Sequence, residues 1–131
     1  MIRLLSILLM LACVLPAEGS DAQGRYWVGG GAGGVMCPDF VASMENARSK
    51  GIGTFAYVNE TKVFTMYILG FQTGYNVSTP NTCDIFSGDK GYELLSWVEN
   101  YCRNAPTERF ADAVVQLSEE FYSKRQQVCP W

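Results

Sequence analysis

ETKVFTMYILGFQTGY, residues 60–75, decides the fold class. Val63, Phe64, Met66, Tyr67, Ile68, Leu69 and Phe71 make it apolar nearly all round, the pattern of a central helix buried on every side. With Lys62, Gln72 and Thr73 inside it, the stretch is not a membrane span, which takes about 20 apolar residues. Gly70 and Gly74 stand in G-x-x-x-G spacing. Each costs up to about 1 kcal/mol against alanine in a helix, so close approach of another helix is expected to offset them. The expectation is packing within the chain, with a homodimer contact as the alternative.

Three further helices flank this one. Upstream, Pro38 suits a first helical turn, Asp39 faces the positive end of the dipole, and Phe40, Val41, Met44 and Ala47 share one face until Gly51. Ile52 to Val58 reads as an apolar linker, and Asn76 to Gly88 as a loop. A third helix is expected from near Asp89, with Leu94, Leu95, Val98, Tyr101 and Cys102 on one face, ending before Pro106. Thr107 is expected to cap a fourth, whose stripe is Phe110, Ala113, Val114, Leu117 and Phe121 and whose wet side holds Glu119 and Glu120. The fold class that follows is all-α, a small disulfide-stapled bundle of about four helices.

The first 22 residues carry a different signature. A positive start at Arg3, an apolar run over Leu4–Leu15, Pro16 and the small residues of Ser20-Asp21-Ala22 mark a cleavable signal peptide ending before Gln23. Leu11-Ala12-Cys13 is a poor lipobox, so plain secretion is expected over lipidation. Residues 23–35 read as a flexible glycine-rich lead-in, and residues 36–131 as a single helical domain. Gly29, Gly31 and Gly34 satisfy G-x-G-x-x-G but lack the strand-to-helix context of a dinucleotide site.

Composition narrows the function. The 131 residues contain no histidine, which removes Ser-His and Cys-His catalysis, imidazole metal sites and a neutral-pH switch. A net charge of −3 provides no footprint for nucleic acid. Without Cys13, four cysteines remain, Cys37, Cys83, Cys102 and Cys129, an even number that argues for two disulfides in one of three pairings. No paired C-x-x-C knuckle suggests zinc. A non-enzymatic, exported protein without cofactor or metal is expected.

Two segments resemble the HdeA/HdeB family of periplasmic acid-stress chaperones. Cys37-Pro38-Asp39-Phe40-Val41-Ala42 is similar to the start of that family's first long helix. Tyr101-Cys102-Arg103, with Pro106, Phe110 and Ala113, is similar to its Y-C-[KR]-x-x-P segment and the helix behind it. The family's single disulfide joins these two places, so the resemblance implies Cys37–Cys102, and with it Cys83–Cys129. The chain departs from the family in a loop around Asn76–Asp89, a second cysteine pair, a longer tail and the absence of lysine-rich termini. Tyr67-Ile68-Leu69-Gly70 with Gly74, and the closing Cys129-Pro130, also look like Tai-like immunity proteins that act against type VI secretion amidases. The cysteine that usually precedes that helical motif is missing.

These resemblances imply a periplasmic protein with protein partners. As a chaperone it would bind unfolded clients at low pH through apolar stripes built from Phe64, Tyr67, Phe71, Leu94, Val98 and Phe110. As an immunity protein it would plug one effector enzyme, with Ser78–Asp84 as a protruding element. Removing Arg3, Glu18 and Asp21 with the signal leaves 9 basic and 11 acidic residues, so full protonation of the carboxylates carries the side-chain charge from −2 to +9. With no histidine, any acid response must begin near the carboxylate values around 4.

Overall fold

The computed structural model describes residues 20–130; the expected signal run with Cys13 lies outside them. Four helices follow one another: α1 (Cys37–Ser49), α2 (Phe55–Ser78), α3 (Gly91–Asn104) and α4 (Phe110–Phe121), with 3-10 turns at Gly31–Gly34 and Tyr122–Lys124. Extended pairing among the described residues is confined to isolated bridges, Met36–Arg109 and Asp84–Gln126. The chain is an all-α bundle. Cys37 bonds Cys102 and Cys83 bonds Cys129, the pairing the resemblance implied. Two structural disulfides point to an oxidising, exported compartment. No helix among the described residues is long and apolar enough to cross a membrane.

Local chemistry sets the helix ends. Pro38 and Asp39 occupy the first turn of α1, and Gly51 leaves it at φ 91°, a conformation that side chains resist. Thr54 then caps α2 by accepting the Tyr57 amide at 3.2 Å, so α2 begins five residues before the expected Glu60 and takes in most of the supposed linker. At its other end Ser78 donates to the Gly74 carbonyl at 2.8 Å and Pro80 follows, which carries the helix past Tyr75. Glu93 reaches back to the Lys90 amide at 3.0 Å and opens α3. The start of α4 differs from expectation. Asp112, not Thr107, accepts the unpaired amide there, from Arg109 at 3.0 Å.

The core is an aromatic cluster where α1, α2 and α4 meet. The Phe110 ring lies 4.6 Å from Phe40, 5.0 Å from Phe64 and 5.6 Å from Tyr67. Leu94, Leu95 and Val98 of α3 and Val114 and Leu117 of α4 complete it. Two pieces expected as loop or tether also contribute. Ala32 of the glycine-rich lead-in is buried, and a Cβ at Gly33 would come within 2.5 Å of the Tyr67 ring, so a larger residue there would force that ring to shift. The Val35 carbonyl accepts the Phe110 amide at 2.8 Å, which anchors the lead-in to α4. In the loop, Ile85 and Phe86 are fully buried, held in place by the Asp84–Gln126 bridge and the Cys83–Cys129 staple.

Helix α2 overturns the expectation that it is buried on every side. Thr61, Phe64 and Ile68 face the core, while α1 and α3 pack along that inner face. Its outer face stays open: Met66 is 67% exposed, Val77 85% and Phe55 86%. A Cβ built at Gly70 or Gly74 meets nothing within 4 Å, so these glycines do not serve packing within the chain. With the other three helices on one side of it, the far side of α2 stays uncovered, however apolar its sequence.

Candidate functional site

Of the residues expected to form a partner surface, Phe64, Leu94, Val98 and Phe110 are buried in the core, and Tyr67 and Phe71 are half-buried against it. Phe64, Tyr67 and Phe110 meet directly. Phe71 instead stacks toward Tyr75, with ring centres 5.8 Å apart. In the folded bundle these side chains are a sealed store of apolar surface, and what opens it is the chemistry around them.

Three carboxylates clasp the elements that seal this store. Glu99 on α3 is 6% exposed and accepts both Arg48 terminal nitrogens of α1 at 2.7 Å. Arg103 adds a contact at 2.6 Å and links on to Glu45 at 2.9 Å. This bidentate fork ties α1 to α3, the same two helices that Cys37–Cys102 joins. The Arg48 guanidinium holds the Glu99 carboxyl below the ordinary carboxylate range, against the upward pull of its burial and with help from Arg103.

Asp112 on α4 is the second clasp. Its oxygens accept Arg109 Nε and Nη2 at 2.9 Å, the Arg109 amide, and the Tyr26 hydroxyl at 2.6 Å. Tyr26 brings the lead-in onto α4, which no short-range sequence pattern announces. The Arg109 bonds above all, then the Tyr26 bond, bring the Asp112 carboxyl down to about 2. Asp84 is the third. It accepts Gln72 of α2 at 2.6 Å and the Phe86 and Gly88 amides at 3.0 and 2.8 Å, which fixes the loop that inserts Ile85 and Phe86. Burial raises its carboxyl, but these donors together outweigh burial and hold it low.

Arg48 also lines a surface groove. This hollow of about 500 Å³ lies between α1, α2 and α3 and is lined by Met44, Ile52, Tyr57, Val58, Tyr92 and Ser96 beside Arg48. Ile52, Val58 and Tyr92 are exposed at its rim. Of the Ser78–Asp84 loop, the tip at Pro80 and Asn81 is exposed, and Asn81 stands at φ 54°. Sequence reasoning missed the Glu99 node. Its short-range half, Glu99 and Arg103 four residues apart, was readable as a helical pair. Arg48 lies 51 residues away and gave no signal. No protein-family model, curated protein or solved structure matches the chain.

Proposed function

We propose that the chain is a periplasmic acid-stress chaperone of the HdeA/HdeB kind, which opens in acid to hold unfolded proteins. One observation carries the reading: the clasps over the apolar store are carboxylates, each held below its ordinary value by the bonds that fasten it. Such groups stabilise the fold fully above their unfolded values near 4, and that stability is lost as pH falls through the lowered folded values. For Asp112, with an ordinary value of 3.8 and a folded value of about 2, the window runs from about 4 down to about 2. No histidine shifts it toward neutrality. Loss of the Glu99, Asp112 and Asp84 clasps frees α1 from α3, the lead-in from α4, and the Ile85–Phe86 loop from α2. Cys37–Cys102 keeps α1 and α3 tethered throughout, so what opens is a loosened bundle and not a free chain.

The test is a stability titration of wild type beside Glu99→Gln. At pH 7 the variant is expected to be about 2 kcal/mol less stable in urea, a charged bond discounted because Arg48 and Arg103 are 35% and 43% exposed. The difference should shrink as pH falls below the unfolded value and vanish once Glu99 itself is protonated. Dye binding by the wild type should rise across the same window. A constant difference down to pH 2, or no dye binding there, would contradict the reading. The immunity reading draws on a different observation, the apolar surface already open on α2 at neutral pH, and predicts a folded enzyme partner at pH 7.

A further inference from the structure

The two disulfides differ in what surrounds them. Cys37 and Cys102 are buried in the core, out of reach of an attacking thiol, whereas Cys83 and Cys129 are both only partly buried. The outer bond holds the end of the chain. Beyond Phe121 no described residue is buried, so the tail has no apolar anchor. Apart from the disulfide it is fixed by a few surface hydrogen bonds, which offset little of the entropy lost in ordering it. Those bonds fall on both sides of the inserted Ile85 and Phe86. The Gln126 carbonyl accepts the Cys83 and Asp84 amides at 2.8 and 3.1 Å, and Arg125 Nε donates to the Thr82 hydroxyl at 3.0 Å. On the other side the Ser87 hydroxyl donates to the Lys124 carbonyl at 2.6 Å. From this arrangement we infer that Cys83–Cys129 is a reducible lock on the Ile85–Phe86 loop, opened by a dithiol oxidoreductase of the Cys-x-x-Cys kind.

The exchange needs no other reactant. One thiolate of the oxidoreductase attacks the bond, forming a mixed disulfide with one sulfur and releasing the other as a thiolate. Its second thiol then displaces the remaining sulfur, so the oxidoreductase leaves as a disulfide and the chain gains two electrons and two protons as two thiols. The bond closes a span of 46 residues, and its loss lets the tail leave the surface. Two contacts from α2 still hold the loop: Gln72 Nε2 donates to Asp84 at 2.6 Å, and the Asn76 side-chain oxygen accepts the Ile85 amide at 2.9 Å. Reduction therefore raises how often the loop opens and leaves its closed form as it is. Each opening presents Ile85 and Phe86 and parts Phe86 from the Phe121 ring, 5.8 Å away in the closed form. The buried Cys37–Cys102 bond keeps α1 joined to α3 meanwhile. The lock does not rest on the acid-chaperone reading, since it works at neutral pH by thiol exchange.

Amide hydrogen exchange at pH 7 tests the lock, before and after treatment of the oxidised chain with reduced thioredoxin. Alkylation and peptide mapping are expected to find Cys83 and Cys129 labelled while Cys37–Cys102 stays bonded. In that species the Ile85, Phe86 and Gln126 amides should exchange at least about tenfold faster, with the central amides of α1, α3 and α4 unchanged. The double variant Cys83→Ser, Cys129→Ser should reproduce this pattern, which separates loss of the lock from incomplete reduction. Equal reduction of both disulfides, unchanged exchange at Ile85 and Phe86, or uniform acceleration across all four helices would each overturn the proposal.

Discussion

Replacing Cys37 and Cys102 together by alanine is expected to remove about 4 kcal/mol of stability, the cost of opening a loop whose ends lie 65 residues apart. The bond joins the start of α1 to the end of α3, and both sulfur-bearing residues are buried, so no solvent contact compensates for its loss. Urea unfolding at pH 7 reads the change as a lower midpoint. Cys83–Cys129 offers an internal control. Both of its residues are only partly buried, so a dithiol should reduce it first and leave Cys37–Cys102 intact. A loss below about 1 kcal/mol in the Cys37 and Cys102 double variant would show that the clasps alone hold α1 to α3.

Phe110→Ala should be equally damaging, at about 4 kcal/mol. Its ring is fully buried and touches Phe40, Phe64 and Tyr67, which belong to two other helices. Truncation leaves a cavity where three rings converge, and its own amide is fixed by Val35, which limits collapse into the gap. Met66→Ala, on the open face of α2, is expected to change stability by less than about 0.5 kcal/mol. Urea midpoints of the two variants compare core with surface directly. Similar losses in the two variants would mean that Phe110 is not the hub.

Much of the bundle was legible in the sequence, for local reasons. Pro38, the Phe40–Met44–Ala47 stripe and Gly51 carry α1 in neighbouring residues, and the Phe110–Val114–Leu117 stripe carries α4. Helix α2 was legible as a helix but not as a half-covered one, because its composition says that it is apolar, not which neighbours exist to cover it. Ile85 and Phe86 sit among Asp84, Ser87 and Gly88 and read as loop; their burial depends on Asp84 meeting Gln126, 42 positions on. The candidate site was half visible. Its apolar members were named from periodicity, whereas the clasps depend on partners such as Arg48 with Glu99 and Tyr26 with Asp112 that only the tertiary fold brings together.

The central claim is that acid releases the carboxylate clasps and exposes a tethered apolar store. It is tested most directly by light scattering from an acid-labile model client at pH 2, mixed at near-stoichiometric ratio with the oxidised chain or with the chain reduced at both disulfides. The account predicts that the client stays clear with the oxidised chain, aggregates with the reduced chain, and is not bound at pH 7. Equal aggregation at pH 2 with and without the oxidised chain would contradict it.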